Sequence, residues 1–537
     1  MPLQPSSARP TPPGTPVPSP EPTFYVTTAI PYVNGDPHLG HALELVQADV
    51  LARHARLRGR PTRFLTGTDD HALKNVSAAR AAGRDVGEFV AEHVEAFRAL
   101  RPALSLSTDD FLSTSTDPRH RPGVEALWRR CAEAGDFYRR TYEGLYCVGC
   151  EQFYTPDELD ESGRCGEHAP VPERVVEENW FFRLSRYGDQ VREEIASGRV
   201  QVNPAAKRNE VLAFLDAGLE DFSVSRPAAR SDGWGVPVPG DPSQVVYVWW
   251  DALTNYVTAL GYGSDPAAPC AADDYRTWWS GGDERVHVIG KGITRFHAVY
   301  WLALLLSAGE PLPTTIHVHD YVTAGGAKLA KSAGAAVHPE ALVDAYGTDA
   351  LRWWFAREVP LLGDAEFTTE RLVTRHDDEL ANGVGNLVHR TLTLVHRFRD
   401  GVVPGLPRTR AGAPDELGSA VGQVERAVDA ALADADLRGA TRAVRRIVDA
   451  ANRYVDAEKP WELAASERAG DATAGRRLDE VLARLVEACR VVAVELSPFV
   501  PDGAARLRAQ LAAPQPDAHR AGPDRVRTPV PVFPRLG

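Results

Sequence analysis

Apolar runs of about five residues alternate with longer stretches in which apolar residues recur every three to four positions. The first runs lie at residues 24–28 and 62–66, and the alternation then continues. This alternation predicts strand–helix units on a parallel sheet. It breaks at residues 137–220 and returns later in the chain. We therefore expect an α/β fold built from residues 23–136 and 221–335, with a module inserted between its halves.

Helical spacing dominates the last third of the chain. Val444, Ile447, Val448 and Ala451 recur at the interval of one helical face, and similar sets lie on either side. Repeated apolar faces on consecutive helices predict an antiparallel bundle, which we place at residues 378–512.

Both ends of the chain have a different composition. Residues 1–22 are rich in Pro and Ser, so we expect a disordered extension there. Residues 513–537 are rich in Pro and predict an irregular tail.

Composition narrows the class of protein. Of the 537 residues, 43% are hydrophobic and 25% are charged, which is typical of a soluble chain with several domains. No apolar run predicts a membrane span, and the N-terminus lacks the features of a signal peptide. The net charge of −13 argues against indiscriminate nucleic-acid binding, but it allows a local basic surface. Six cysteines, two of them in a Cys-x-x-Cys, predict a reducing, cytoplasmic location. Met occurs only at position 1, for which we have no physical reason.

A candidate phosphate site follows the first strand-like run. His38, Gly40 and His41 lie where a helical pattern begins, at about Leu39. A helix N-terminus offers backbone N–H groups to phosphate. Gly40 allows close approach to the backbone, and imidazoles can donate hydrogen bonds to phosphate or ring oxygens. Two surface histidines are the alternative interpretation.

A second candidate motif lies almost three hundred residues later. Lys328 and Lys331 are three positions apart in a Gly-rich segment, and Ser332 follows them. Two ammonium groups suit a polyphosphate that gains charge as it leaves. Lys-x-x-Lys is otherwise common on solvated faces. The order and separation of the two motifs favour a split nucleotide-activating site.

The inserted module contains two pairs of metal-ligating residues. Cys147 and Cys150 form one pair, and Cys165 and His168 form the other. Four such ligands in two closely spaced pairs match tetrahedral Zn²⁺. Since the protein fills all four positions, we expect a structural zinc. Four unrelated loop residues are the alternative.

Several segments resemble the class I aminoacyl-tRNA synthetases, and among them the methionyl-tRNA synthetase family. In chain order they are Ile30-Pro31-Tyr32-Val33-Asn34-Gly35, Pro37-His38-Leu39-Gly40-His41, Thr66-Gly67-Thr68-Asp69-Asp70-His71, Trp249-Trp250-Asp251-Ala252, Gly290-Lys291, Phe296-His297 and Lys328-Leu329-Ala330-Lys331-Ser332. The resemblance covers residues 23–512. It implies a Rossmann-like catalytic domain, an inserted zinc-knuckle domain, a stem-contact region at residues 336–377 and an α-helical anticodon-binding bundle.

The resemblance implies a two-step reaction. ATP and L-methionine would give methionyl adenylate and pyrophosphate, and the methionyl group would pass to methionine tRNA. Mg²⁺ would accompany ATP. The catalytic residues, which would hold the phosphates, are His38, His41, Lys328 and Lys331. The remaining ATP-binding positions are Gly40, Gly290 and Ser332.

The same resemblance implies a pocket for a thioether side chain. Its positions are Ile30, Tyr32, Asp69, Trp249, Ala252, Tyr256, Ile293, Phe296, His297 and Trp301. Asp69 would accept hydrogen bonds from the substrate ammonium, and sulfur–aromatic contacts contribute about 0.3–1.5 kcal/mol each. Without the flanking motifs, the aromatic residues would be interpreted as core and Asp69 as a helix N-cap.

Three residues of the bundle match anticodon-reading positions of that family: Asn386, Arg390 and Trp461. An aromatic ring that stacks on an unpaired base, with amide and guanidinium hydrogen bonds, can read a single-stranded loop. Alone, Trp461 after Pro460 would be a packing residue at a helix start.

Several positions depart from the family pattern. Gly292 replaces an Asp after Gly-Lys, and Asp320 replaces the glycine of a His-Gly-Tyr triplet. The other departures are Asp70 for Glu, Ala72 for Gly, Leu329 for Met, Ala330 for Ser and Ala335 for Asn. The histidines and lysines of both nucleotide motifs remain, so activation of an amino acid is expected.

Three hypotheses follow. The first is a methionine-activating synthetase, housekeeping or auxiliary, and family analogy favours a monomer. The second is a paralogue that activates another amino acid for a biosynthetic pathway. The third is a non-catalytic tRNA-binding protein. The third hypothesis is disfavoured by His38, His41, Lys328 and Lys331, because a binder needs no pyrophosphate clamp. An enzyme that ignores the methionine anticodon is disfavoured by Asn386, Arg390 and Trp461.

Overall fold

The computed structural model describes most of the chain. The described residues are 21–147, 152–154, 156–165, 171–264, 271–325, 327–328, 337–405, 415–511 and 524–537. The predicted N-terminal extension lies outside them up to residue 20.

The described strands are β1 (Phe24–Thr28), β2 (Thr62–Thr68), β3 (Asp110–Ser113), β4 (Phe137–Cys147), β5 (Gln152–Tyr154), β6 (Glu173–Phe182), β7 (Gln201–Asn203), β8 (Phe222–Ser223), β9 (Ser225–Pro227), β10 (Pro237–Val238), β11 (Asp241–Val246), β12 (Glu284–Gly290), β13 (Thr315–His319), β14 (Val322–Ala324), β15 (Ala327–Lys328) and β16 (Ala365–Glu366).

The described α-helices are α1 (Leu39–Leu57), α2 (Leu73–Ala81), α3 (Val86–Ala103), α4 (His120–Glu133), α5 (Gly188–Ala196), α6 (Ala205–Asp216), α7 (Val248–Thr258), α8 (Ala271–Tyr275), α9 (Leu302–Ala308), α10 (Pro339–Tyr346), α11 (Thr348–Glu358), α12 (Thr369–Arg375), α13 (Asn386–Arg399), α14 (Glu416–Ala433), α15 (Leu437–Glu458), α16 (Pro460–Arg468), α17 (Ala472–Glu495) and α18 (Pro501–Leu511). The 3₁₀- and π-helical segments are Pro156–Glu158, Leu184–Tyr187, Ala228–Ser231, Arg276–Ser280, Lys291–Ile293, Phe296–Trp301 and His376–Gly385.

Six parallel strands form the central sheet in the order β3–β2–β1–β12–β13–β7. β1 is buried along its whole length, as expected inside a parallel sheet covered on both faces. Its side chains alternate between the faces, since Tyr25 enters one hydrophobic core and Val26 enters the other. The predicted α/β fold with a parallel sheet is confirmed.

The two cores join different sets of helices to this sheet. α4, α7 and α9 pack in the core that contains Tyr25. α1, α3 and α11 pack in the core that contains Val26, and this core continues into the C-terminal helices. The sheet and the helical region therefore share one hydrophobic core.

The segment predicted as an insertion, residues 137–220, forms an antiparallel sheet of β5, β4 and β6, and β8 just beyond it adds the fourth strand. It also supplies β7, which pairs with β13 at the edge of the central sheet. β11 differs from the parallel strand–helix pattern expected of residues 221–335, because it pairs antiparallel with β9 and β10. A short apolar run occurs in parallel and in antiparallel sheets, so its pattern alone does not predict how the strand pairs.

The C-terminal region is helical, as predicted. α13, α14, α15 and α17 pack against one another. Three of the helices in this region begin with an aspartate that accepts backbone N–H bonds, at Asp415, Asp436 and Asp471. Residues 524–537 form no helix and only an isolated bridge, yet Phe533 is buried against the bundle. The irregular tail is therefore packed where it is described.

Within the described residues, no helix combines the length and the apolar character that crossing a bilayer requires.

Candidate active site

The carboxyl ends of four neighbouring strands surround one crevice. β1 leads into His38 and His41, and Asp69 directly follows β2. β12 ends at Gly290 and β13 ends at His319. Ligands of open parallel sheets bind at this edge. The structure thus brings predicted residues from distant segments to one place.

His38 and His41 begin α1 and cap it with their own side chains. The backbone N–H of Gly40 donates to Nδ1 of His38 at 3.1 Å, and the backbone N–H of His38 donates to Nδ1 of His41 at 3.1 Å. The two rings stack with centroids 3.8 Å apart. A Cβ at position 40 would lie 3.0 Å from Cε1 of His38, so a larger residue there would push the His38 ring from this position.

These bonds fix the position of the imidazole protons. Because Nδ1 accepts in both rings, neutral His38 and His41 each carry their proton on Nε2. The N–H of Gly40, expected to be open for phosphate, is bonded to His38 instead. The Nε2–H groups of the two imidazoles therefore add two donors at the start of α1, and such donors suit phosphate oxygens.

Glu44 is a site residue that the sequence interpretation missed. Its Oε2 lies 3.1 Å from Nε2 of His319, and Nδ1 of His319 lies 2.8 Å from the carbonyl oxygen of Asp320. The Nδ1–H donates to that carbonyl, so the contact with Glu44 needs one further proton. Burial raises the pKa of Glu44, which allows the carboxyl to carry that proton. The sequence did hold a signal for Glu44. It lies three residues after His41, and this spacing places the two side chains on one face of α1.

The predicted aromatic residues meet around Trp249. Its ring stacks on Phe296 with centroids 3.8 Å apart and planes 6° apart. Tyr32 and His297 contact it edge-on, with centroids 6.3 and 6.4 Å away. Among the described residues, the buried indole N–H of Trp249 has no hydrogen-bond partner. The cluster therefore offers aromatic faces and one donor.

The inner part of this pocket carries no charge. Nδ1 of His297 donates to the carbonyl oxygen of Ile293 at 3.0 Å, so Nε2 accepts from the Tyr256 hydroxyl at 2.7 Å. Burial lowers the pKa of His297 to about 4 and raises that of Tyr256. Trp301 packs edge-on against Tyr256, at 6.0 Å between centroids. Uncharged walls suit an apolar side chain.

Asp69 lies at one side of this pocket. It forms an isolated parallel bridge with Tyr32, and its residue is only 1% exposed. The N-cap of α2 is Ala72, so the interpretation of Asp69 as a helix cap is wrong. A buried carboxylate beside an uncharged pocket can bind a substrate ammonium. The other predicted pocket positions are Ile30 after β1, Ala252 on α7 and Ile293 after β12.

The sequence interpretation assigned no role to a second group, which is centred on Asp251. Asp251 is buried between two histidines, with His71 Nδ1 2.6 Å from Oδ2 and His120 Nε2 2.8 Å from Oδ1. The two imidazoles lower the pKa of Asp251, although burial alone would raise it. Because Asp251 belongs to α7, the contact with His71 ties the end of β2 to the helix that carries Trp249.

The lysine motif is described only at its start. Lys328 ends β15, which pairs antiparallel with β14 so that Lys328 lies opposite Thr323. Lys331 and Ser332 lie outside the described residues.

Two of the four predicted metal ligands come together. Cys147 and Cys165 are each 3% exposed, and their Sγ atoms lie 3.4 Å apart. A disulfide would need about 2.0 Å. Two thiolates that bind one tetrahedral zinc at Zn–S distances of about 2.3 Å have their sulfur atoms somewhat further apart than the Sγ atoms of Cys147 and Cys165. Cys150 and His168 lie outside the described residues, and within those residues no three His, Cys, Asp or Glu side chains could hold a metal.

The predicted anticodon residues lie close together in the bundle. Asn386 and Arg390 are one turn apart on α13. The Arg390 guanidinium lies 5.8 Å from the ring centroid of Trp461, and its Nη2 is 3.1 Å from Asp456 Oδ1. Trp461 is 41% exposed at the start of α16. A large exposed ring beside a guanidinium suits an unpaired base.

The fold and this crevice are typical of a synthetase that activates a carboxylate with a nucleotide. The sequence profile described as tRNA synthetases class I (M) matches residues 24–170 and 160–392. These ranges include the histidine motif, the aromatic pocket and the lysine motif. The chain belongs to this family.

Similar proteins carry a more specific name. The chain is 39% identical over 530 residues to the methionine--tRNA ligase of Rhizobium meliloti (strain 1021), covering 95% of this chain and 98% of that protein. It is 38% identical to the methionine--tRNA ligase of Caldanaerobacter subterraneus subsp. tengcongensis, over 91% of this chain and 74% of that protein.

Solved structures agree with these relatives. Mycobacterium tuberculosis methionyl-tRNA synthetase in complex with methionyl-adenylate is similar with a TM-score of 0.87 and 36% identity, over 96% of this chain and 100% of that chain. The apo form of the same synthetase gives a TM-score of 0.81 at 34% identity, over 96% of this chain and 98% of that chain.

Proposed function

We propose that the protein activates L-methionine with ATP and transfers the methionyl group to methionine tRNA. The observation that carries this proposal is the uncharged aromatic pocket around Trp249, with the buried carboxylate of Asp69 at its side and the imidazoles of His38 and His41 on the same edge of the sheet. An apolar side chain, an ammonium and a phosphate chain match these three parts. The names of the relatives support methionine as the amino acid.

Amino-acid binding comes first in this proposal. The substrate ammonium pairs with Asp69, and the thioether lies against Trp249, Phe296 and Tyr256. Sulfur–aromatic contacts contribute about 0.3–1.5 kcal/mol each. Because His297 is neutral and hydrogen-bonded to Tyr256, it adds no charge that would favour a polar side chain.

Adenylate formation follows. A carboxylate oxygen of methionine attacks the α-phosphorus of ATP, and the bond to the β-phosphate oxygen breaks, which releases pyrophosphate. The Nε2–H groups of His38 and His41 donate to phosphate oxygens as charge develops there. Lys328 and Lys331 hold the leaving pyrophosphate. Mg²⁺ bound to ATP would screen the remaining charge.

Transfer to tRNA completes the reaction. The tRNA 3′ hydroxyl attacks the acyl carbon, and AMP leaves. Asn386, Arg390 and Trp461 read the anticodon by stacking and hydrogen bonds. Arg442 and Arg446 are exposed on the face of α15 that also carries Asp456, and in the described part of the chain neither has an ion-pair partner. They supply the local basic surface that phosphate binding requires.

A structural zinc in the inserted module is part of the proposal. Cys147, Cys150, Cys165 and His168 would hold it, and the closeness of the two buried thiols supports this set. Zinc would organise the end of β4, where the local chain has few apolar residues of its own. Metal analysis of the parent is expected to find one zinc per chain. Cys165→Ser is expected to lose the zinc and to melt at a lower temperature.

The free cysteines of the described residues support a reducing, cytoplasmic location. We also infer a monomer, by family analogy.

Amino-acid-dependent ATP–pyrophosphate exchange over the twenty amino acids, followed by charging of methionine tRNA, tests the proposal. Exchange with methionine and charging are expected. Exchange with another amino acid alone would support the biosynthetic paralogue. Absence of exchange in folded, zinc-loaded protein would leave a tRNA-binding role.

A further inference from the structure

An ion cluster lies beside the crevice, where β12 and β13 end. Nζ of Lys291 is 2.6 Å from Asp364 Oδ1 and 3.6 Å from Asp320 Oδ1. Nζ of Lys207 is 3.3 Å from the same oxygen of Asp320. The Asp320 side chain is 6% exposed, so these charges interact more strongly than charges at the surface. Asp320 is the residue that joins both lysines.

The same carboxylates hold the root of the lysine hairpin, β14–β15. Asp364 Oδ1 accepts the backbone N–H of Tyr321 at 2.9 Å, and Asp320 Oδ2 accepts the backbone N–H of Gly363 at 2.7 Å. Tyr321 directly precedes β14, and β14 pairs with β15, which ends at Lys328. The cluster therefore links the end of β12 to the hairpin that carries the first catalytic lysine of the proposed reaction.

Two departures of the sequence from its family concern the charge beside Lys291. Gly292 lacks the carboxylate that follows the lysine in the resembling family, and Asp320 adds a carboxylate where that family has glycine. One carboxylate is lost next to Lys291 in the sequence, and one is gained within 3.6 Å of it in space.

We propose that Asp320 is a positioning residue that compensates for Gly292, by holding Lys291 and the root of the β14–β15 hairpin in place for ATP. This inference rests on the proposed function, because the hairpin matters only if Lys328 acts on ATP. Asp320 acts through Lys291 and Tyr321 and does not touch the substrate.

The contacts predict which constants change. A hairpin displaced by about 1 Å can lower the rate by on the order of 100-fold, because phosphoryl chemistry depends on alignment. The pocket rings of Trp249 and Tyr256 lie on α7, and those of Phe296 and His297 lie on the segment Phe296–Trp301. Asp320 contacts Lys207, Lys291 and the backbone of Gly363 instead, so we expect KM for methionine to stay unchanged.

Asp320→Asn is the first variant. It keeps an oxygen that can accept the N–H of Gly363 but removes the charge that holds Lys207 and Lys291. Methionine-dependent exchange is measured on the full chain at varied ATP, with calorimetry for the Kd of ATP. We expect kcat/KM for ATP to fall about 10- to 100-fold and the Kd of ATP to rise, with KM for methionine unchanged.

The matched control restores the carboxylate at the family position. Gly292→Asp combined with Asp320→Asn is expected to recover kcat/KM for ATP to within about threefold of the parent. Asp364→Asn, which breaks the same link from the other side, is the second variant if Asp320→Asn does not fold, and the same ATP-specific loss is expected.

Two results overturn the inference: a kcat/KM for ATP in Asp320→Asn within about twofold of the parent, or a loss that Gly292→Asp does not repair. A parent that exchanges with no amino acid contradicts the proposed function instead, and the comparison of ATP Kd values then still tests Asp320.

Discussion

Arg352 and Asp49 form an ion pair that joins the histidine-motif helix to the end of the bundle. Neither side chain is exposed, and Nη2 of Arg352 lies 2.8 Å from Asp49 Oδ2. Arg352 also donates to the carbonyl oxygens of Leu104, Pro498 and Phe499 at 2.9, 2.7 and 2.9 Å. Asp49 belongs to α1 and Arg352 to α11, so one guanidinium connects three parts of the chain.

Replacing Arg352 with Met should reduce the free energy of unfolding by about 3–5 kcal/mol, because it leaves the charge of Asp49 buried with less compensation. Three buried carbonyl groups also lose their hydrogen-bond donor in this variant. The loss in the free energy of unfolding should therefore lie toward the upper end of this range. Arg352→Met with Asp49→Leu is the matched control. It removes both charges and should cost less than the single variant.

Urea unfolding at neutral pH, followed by circular dichroism and tryptophan fluorescence, measures the effect. Because two-state unfolding is typical only of smaller single domains, the first transition of this 537-residue chain is compared among variants. A loss below about 1 kcal/mol in Arg352→Met, or a double variant less stable than the single one, would refute the reasoning.

The pH dependence follows from the sign of the pKa shift. Burial alone would raise the pKa of Asp49, but Arg352, Arg53 and hydrogen bonds from Ser107 outweigh it and lower the pKa. A depressed folded pKa contributes stability above the unfolded value of about 3.9 and loses it as the pH falls through the folded pKa. The ionised Asp49 should therefore add to the free energy of unfolding at neutral pH. The difference in that free energy between the parent and Asp49→Leu should shrink only in acid.

Three further predictions concern the proposed reaction. Trp249→Ala should raise KM for methionine about tenfold with little change in KM for ATP, and an equal rise in both would contradict the pocket. Gly40→Ala should lower the exchange rate on the order of 100-fold, because its Cβ would displace the His38 ring, and unchanged exchange with an unchanged melting temperature would disprove that role. Arg442→Gln with Arg446→Gln should weaken tRNA binding and reduce the slope of log Kd against log salt by about 2. The control, Arg442→Lys with Arg446→Lys, should keep that slope. ATP–pyrophosphate exchange should stay at the parent level in both double variants. An unchanged slope in the double Gln variant would exclude phosphate contacts.

Local patterns predicted the elements that position the site. The apolar run at residues 24–28 became β1, and the helical pattern from about Leu39 became α1. Both predictions rest on neighbours within a few positions, where periodicity and burial are directly coupled. The alternation of strands and helices likewise predicted the parallel sheet.

Contacts between distant segments were not predictable in the same way. His71 reaches Asp251 across 180 positions, and His319 reaches Glu44 across 275. No spacing rule links residues so far apart, since their approach depends on the order of the strands. The role of Nδ1 in His38 was also hidden, because a histidine at a helix start can cap the helix or face a ligand with the same sequence pattern.

The departures from the family show how a motif is completed by contacts outside it. In the sequence, Gly292 stands where the resembling family has a carboxylate, and Asp320 stands where that family has a glycine. In the structure both changes meet at Lys291, where Asp320 supplies a charge within 3.6 Å. Since the energy of an ion pair depends on distance and burial, not on which residue carries the charge, the two changes can offset each other. Restoring either family residue alone should therefore disturb the site more than restoring both.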